Sequence, residues 1–480
     1  MTRFEISVLF AAAMLGLQGC SSQALSPWHT ERLTEEFVAG DSDQVQSFDD
    51  YLQLEDRVFN ELEQKVYSKV DTGPEFDLVR YSSGSDADPQ SYATNWNRSF
   101  ELKNDSPIGG VLLLHGMSDS PYSLHALAEA LAQQDYWVIG LRMPGHGTAP
   151  SGMKYVKPED MIAVTRLAMV HLSTSVGDKP IHVIGYSTGA ALALNYALDA
   201  AEGVVSPMPA SLVLISPAIR IHAGASLASF KRSASSIPGL GGFAWLTVMP
   251  EFDPYKYNSF ATNAADVVHQ LTRAVDGRIA ARAISSDPNT ALPPILALKS
   301  TVDATVTTEA IVDNLLSLLA PNRHELVLFD VNRFAAKASL LVDDPGPLTN
   351  RLLEDDSLPF GLTLISNRDT STRDVVARYK APLSGDVSLN ELYGFAWPSN
   401  VFSLSHVALP FPPDDPLYGS NPPAGDEPLH LGDIPMRGER DMNKIPGEWL
   451  LRMRYNPFYD VLETRVLEWL QNATQLPVTE

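Results

Sequence analysis

Gly185-Tyr186-Ser187-Thr188-Gly189 sets a serine between two glycines. The apolar run "IHVIGYS" leads into it and the Ala/Leu-rich "TGAALALNYALDAA" follows. A serine at a sharp strand-to-helix turn can serve as a nucleophile. The strained turn lifts its hydroxyl clear of the backbone, and the start of the next helix favours developing negative charge. A side chain at either flanking glycine would clash with the neighbouring strand and helix. A bare pentapeptide of this kind also fits an ordinary turn serine, so the chemistry needs a base, an orienting acid and an oxyanion hole elsewhere in the chain.

Two donors must face the oxyanion. One backbone N–H is expected from Thr188, immediately after Ser187. The other is expected from the loop closing "GGVLLLHG", with Met117 as the donor. His115 in that loop precedes the nucleophile, whereas elbow serines are followed in the chain first by Asp or Glu and then by His. A loop-organising role is expected for it. The chain has no H-E-x-x-H, no Cys/His cluster and no G-x-x-x-x-G-K-[ST], so neither a metal nor a nucleotide cofactor is expected.

The elements that must position these groups follow from periodicity. "GGVLLLHG", "YWVIGLR", "IHVIGYS" and "SLVLISP" are short continuous apolar runs, as strands buried on both faces require. "SLHALAEALAQQ" and "PEDMIAVTRLAMVHLSTSV" alternate with them as helices, the second opening on Pro158 with Glu159 and Asp160 in its first turn. This alternation predicts a mostly parallel central sheet with helices on both faces. Before it, Phe48, Leu52, Val58, Leu62 and Val66 lie at helical spacing. The pattern breaks from about Arg220 to Ala291, a Ser/Ala/Gly/Pro-rich segment with one helix over about Asn263–Val275. It resumes at "PILALKST" and "HELVLFD", and the chain closes on an amphipathic helix in "PFYDVLETRVLEWLQ".

Together, "LLHGMSDSPYSLHALAEAL", "GLRMPGHGTAP" and "GYSTGAALAL" resemble the α/β-hydrolase superfamily, in its branch of esterases and monoacylglycerol-lipase-like lysophospholipases. The resemblance covers about residues 105–330 and returns near 400. It implies that the acid follows the second strand after the nucleophile, in "PILALKSTVDATV", which points to Asp303; Asp330, ending the next strand, is the alternative. Lys299 and Ser300 stand where the family often has His and Gly. Three histidines follow Asp303: His324 begins a strand, His430 lies in a Pro/Gly/Asp-rich loop, and His406 follows the strand-like "VFSLS" and resembles the family's late His loop. His406 is therefore the expected base. His146 resembles a structural loop histidine.

The implied organisation is a leader over 1–19, a helical and loop extension over 20–104, core over 105–219, a lid or cap over 220–291, core over 292–331, a second irregular insertion over 332–400, and the His loop with the closing helix over 401–480. Either that second insertion interrupts the connection to the His loop, or "VFSLS" is the final strand. The cap's Phe243, Trp245, Leu246, Val248 and Met249 suit an acyl chain or simply pack the cap onto the core.

Composition bounds the rest. The 480 residues, 44% hydrophobic and 19% charged, are those of an ordinary globular protein. With 58 acidic against 35 basic residues and a net charge of −23, the surface repels nucleic acid, which is not an expected partner. The apolar run Ile6–Leu17 is too short for a permanent membrane helix and suits a signal peptide. Leu17-Gln18-Gly19-Cys20 resembles a bacterial lipobox, and Cys20 is the only cysteine. A lipid-anchored protein of the cell envelope is expected, with a soluble periplasmic or secreted form as the alternative. The expected activity is metal-independent hydrolysis of lipid-derived carboxylic esters. Peptidase, thioesterase or C–C hydrolase chemistry on the same residues, or an inactive membrane-anchored binding module, are the competing readings.

Overall fold

The computed structural model describes residues 24–41, 44–220, 241–285, 292–321, 323–422, 428–432, 445 and 447–475. The leader with Cys20, and parts of the expected cap and of the 401–480 segment, lie outside the described residues.

The sheet is built from β1 (Phe100–Leu102), β2 (Gly109–Leu114), β3 (Tyr136–Leu141), β4 (Ile181–Tyr186) and β5 (Ser211–Ile215). A separate ribbon of β6 (Trp245–Thr247) and β7 (Phe260–Ala261) follows. The sheet continues with β8 (Ile295–Ser300), β9 (His324–Phe329), β10 (Gly361–Asn367), β11 (Asp374–Lys380) and β12 (Val387–Ala396). The ten strands lie in the order β1-β3-β2-β4-β5-β8-β9-β10-β11-β12. All pairs from β3 to β10 are parallel, and β1, β11 and β12 add antiparallel edges.

The parallel strands are apolar throughout because both faces are covered. Successive side chains alternate between two cores. Leu112, Leu114, Val183 and Leu214 enter one, which α1 (Phe48–Lys65) shares through Phe48 and Val58. Val111, Leu113, Ile184 and Val213 enter the other, with Leu127 and Leu131 of α2 (His125–Gln133). α3 (Pro158–Val176) and α4 (Thr188–Ala201) join the first core. α1 begins where Ser47 Oγ accepts the Asp50 N–H at 3.1 Å and the Asp50 carboxylate accepts the Ser47 N–H at 3.0 Å, a reciprocal cap.

The N-terminal extension clamps a loop of the site. Arg142, fully buried, pairs with Glu36 at 2.9 Å and Glu55 at 3.2 Å, and donates to the His146 carbonyl. Arg80, also buried, donates to Asn97 Oδ1 and to the Gly147 carbonyl. Two buried guanidiniums thus tie residues 36–97 to the Pro-Gly-His-Gly segment.

Two elements differ from the pattern. The helix expected over about Asn263–Val275 runs as α5 (Thr262–Ser285). Past Gly277 the apolar stripe thins, and ion pairs take over: Arg278 to Asp199 at 2.9 Å and Glu202 at 2.8 Å, and Arg282 to Glu202 at 3.2 Å, all against the end of α4. The segment 332–400 carries α7 (Gly346–Glu354), which follows α6 (Thr308–Asn314), and the last three strands of the main sheet. "VFSLS" forms no ladder, so the chain crosses the whole β10–β12 edge before it reaches His406. Its backbone is held by isolated hydrogen bonds instead: the Asn332 N–H donates to the Phe402 carbonyl at 2.8 Å, Asn332 Nδ2 to that of Val401 at 2.8 Å and Ser300 Oγ to that of Leu404 at 2.9 Å. The closing helix is α8 (Tyr459–Gln475), whose Leu462, Val466 and Leu470 cover the second core.

Candidate active site

Ser187 sits between the end of β4 and the first residue of α4, with φ 53° and ψ −111°. That is a left-handed backbone at a non-glycine residue, which only a tightly held turn sustains. Its N–H donates to the Ile215 carbonyl at 2.9 Å. The flanking glycines have no room for a side chain. A Cβ at Gly189 would lie 1.9 Å from the Leu114 oxygen, and one at Gly185 would lie 2.4 Å from the Gly189 oxygen.

His406 and Asp303 converge on this serine. Asp303 follows β8, and its Oδ2 accepts the His406 Nδ1–H at 2.7 Å. That bond leaves His406 Nε2 as the acceptor for the Ser187 hydroxyl, 3.1 Å away. Asp303 Oδ1 accepts the N–H groups of Thr305 at 2.8 Å and Val306 at 3.2 Å. Burial alone would raise the Asp303 pKa, but the His406 bond and the His406 and Lys299 charges hold it well below the carboxylate range. The carboxylate is therefore charged whenever the imidazole works.

The other candidates stand elsewhere. Asp330 is bound by Arg333, at 2.9 Å to Nε and 3.0 Å to Nη2. His324 begins β9, where its Nδ1 accepts the Ile295 N–H at 3.2 Å. His430 donates to the Pro416 carbonyl at 2.7 Å. His115 links two loops: Nδ1–H donates to the Gly116 oxygen at 2.8 Å, and Nε2 accepts the Met143 N–H at 3.0 Å. Burial, aided by His146, lowers its pKa well below the usual histidine value, which keeps that donor–acceptor pattern fixed.

Thr188 opens α4, so its N–H is one of the groups at a helix start without an intrahelical acceptor. Met117 follows Gly116, whose Cβ position lies 3.2 Å from Ser187 Cβ. Both expected oxyanion donors thus flank the elbow. Of the cap residues, Trp245 is buried edge-on to His29, with ring centroids 5.0 Å apart, and joins the core; Leu246 is exposed. Among the described residues no group of three His, Cys, Asp or Glu side chains is placed to hold a metal, and no helix is long and apolar enough to cross a membrane.

Sequence reasoning missed two charges in this neighbourhood. Lys299, fully buried, places Nζ 3.0 Å from Asp303 Oδ2 and also donates to the Val306 carbonyl. Asp119, beside Gly116, is paired with Lys256 from the segment after the ribbon strand β6. Lys299 had left a signal as a departure from the family pattern.

Residues 105–286 match the family model described as serine aminopeptidase, S33. A thermostable monoacylglycerol lipase of Bacillus sp. (strain H-257) is 33% identical over 115 residues, which are 24% of this chain and 44% of that protein. The chain thus spans less than half the length of that curated relative. Similar solved structures include a metagenome-derived lipolytic enzyme, 21% identical over 49% of this chain and 89% of that one with a TM-score of 0.39. The monoacylglycerol lipase of Paleococcus ferrophilus is 16% identical over 48% and 89%, with a TM-score of 0.38.

Proposed function

The chain has the α/β-hydrolase fold, and from that premise we propose that it hydrolyses carboxylic esters of lipid origin, such as acylglycerols or lysophospholipids, through an acyl-enzyme on Ser187. One observation carries this reading: His406 bridges Ser187 Oγ at 3.1 Å and Asp303 Oδ2 at 2.7 Å. In the first step His406 Nε2 takes the Ser187 proton as Oγ attacks the ester carbonyl, while the Met117 and Thr188 N–H groups receive the oxyanion. His406 then gives that proton to the leaving alcohol. In the second step it draws a proton from water as the water attacks the acyl-enzyme, then returns that proton to Ser187 Oγ as the acid leaves. Asp303 fixes the imidazole tautomer and stabilises the imidazolium throughout. Lipid anchoring at Cys20, as the leader's sequence predicts, would hold the enzyme at a membrane surface where such esters reside.

The test is turnover of a p-nitrophenyl ester series from acetate to palmitate by leaderless wild type, Ser187→Ala and His406→Ala. Each variant should stay folded and lose at least about 10³-fold in kcat. An inert wild type, or a His406→Ala variant as active as wild type, rejects the assignment. The description of the matched family model favours amide cleavage as a second reading. p-Nitroanilides of amino acids, run beside the esters, decide between the two by relative kcat/KM.

A further inference from the structure

A cavity of about 660 Å³ opens beside His406, lined by the apolar Val302, Phe402 and Leu404 and by Trp449, Arg452 and Arg454. Arg454 is only 7% exposed, and its guanidinium carbon lies 3.5 Å from the centre of the Trp449 ring. Its Nε has no hydrogen-bond partner, and among the described residues neither Arg454 nor Arg452 forms an ion pair. Of the two buried arginines at the Pro-Gly-His-Gly segment, Arg142 has two glutamates and Arg80 donates to Asn97 Oδ1 and to the Asp253 and Gly147 carbonyls.

An unpaired buried guanidinium is costly unless something answers its charge. Burial pulls the Arg454 pKa down to about 10, so the group still carries its charge at neutral pH. Asp253 and Tyr418 offset part of this. Asp253, however, already accepts the Tyr418 hydroxyl at 2.6 Å and the N–H groups of Tyr255 and Lys256 at 3.0 Å each. The Tyr186 phenol, next to Ser187, is close enough to feel both arginines, together with Asp119 and Asp303, which act in the opposite sense.

The position of the cavity says which part of a substrate would fill it. During acylation the leaving oxygen must reach His406 Nε2 to be protonated. The cavity lined by His406 and by Val302 and Ala304, on either side of Asp303, is the space beside the base that such a leaving group could enter.

We propose that this cavity is a subsite for a phosphate group carried by the leaving alcohol, with Arg452 and Arg454 as its cations and the apolar wall against the carbons that join phosphate to ester. The inference rests on the ester-hydrolase reading above and narrows it to acyl esters of anionic alcohols. Arginine suits the task because its fork matches a phosphate geometry, and stacking on Trp449 holds that fork in place.

The experiment compares kcat/KM for 1-oleoyl-lysophosphatidate and 1-oleoylglycerol, which share an acyl chain, in mixed micelles at one ionic strength. It uses the full chain as wild type, Arg452→Met and Arg454→Met. Arg452 is exposed, so its replacement does not threaten the fold. The readout is the ratio of anionic to neutral ester within each protein, which a partly unfolded sample leaves unchanged. The wild-type ratio should exceed one and fall about tenfold or more in the variants. A wild-type ratio at or below one, or a ratio that neither substitution changes, overturns the subsite while leaving the hydrolase standing. Failure of wild type to cleave either ester overturns the hydrolase reading itself, and the subsite with it.

Discussion

Lys299 and His406 share one oxygen of Asp303: Nζ of the lysine lies 3.0 Å from Oδ2, and Nδ1 of the histidine 2.7 Å from it. Both groups are buried, so their charges are poorly screened. The lysine opposes the second positive charge that appears when His406 takes the serine proton. Replacing it by an apolar side chain of similar length favours the imidazolium. In Lys299→Met the acid limb of the pH profile of kcat/KM should therefore move to higher pH. A limb that stays in place, or moves down, rejects an electrostatic role for Lys299.

His115 holds the oxyanion loop by donating to the Gly116 carbonyl and accepting from the Met143 N–H. His115→Ala leaves the buried Met143 N–H without a partner, at about 1–3 kcal/mol in stability, while the Gly116 oxygen keeps only the Asp119 N–H at 3.2 Å. It also frees the loop that carries Met117. Steady-state kinetics should show kcat reduced about tenfold to a hundredfold with a smaller change in KM. A variant that loses stability in urea but keeps wild-type kcat would show that the loop needs no such brace.

Burial lowers the pKa of three histidines remote from Ser187: His29 to about 4, His182 to about 3 and His324 to about 4. Each folded value lies below the unfolded value of 6.5, so the unfolded chain takes up protons first on acidification. Stability should fall as pH drops from 6.5 through about 4, by up to ~1.4 kcal/mol per pH unit for each histidine. Urea midpoints measured across that window check the loss. His324→Asn keeps an acceptor near the Ile295 N–H and removes one titration, so its midpoint should fall less steeply. Equal slopes in variant and wild type would take His324 out of the account.

The parallel half of the fold was legible because each strand is buried on both faces and leaves an uninterrupted apolar run. Ser187 was legible for a different reason: Gly185 and Gly189 are demanded by backbone contacts that tolerate no Cβ. β10 to β12 were harder to read. β12 is largely exposed, so its residues alternate weakly, and "VFSLS" has strand-like composition yet joins no strand ladder. The length of α5 depends on ion pairs to α4 rather than on its own periodicity. The two departures from the family pattern, Lys299 and Ser300, each have a structural role: one holds Asp303 and the other holds the backbone at Leu404. Arg454 left no trace in the sequence, because its isolation depends on side chains from distant segments.

The route to His406 has a kinetic consequence. The base lies 219 residues from the nucleophile and 103 from the acid, and the chain between acid and base must first lay down the β10–β12 edge. Closing so long a loop follows, rather than leads, the zipping of nearer strands. During refolding, tryptophan and tyrosine burial in the early sheet will therefore report before any hydrolysis can. Enzymatic activity becomes the clock for the last docking event.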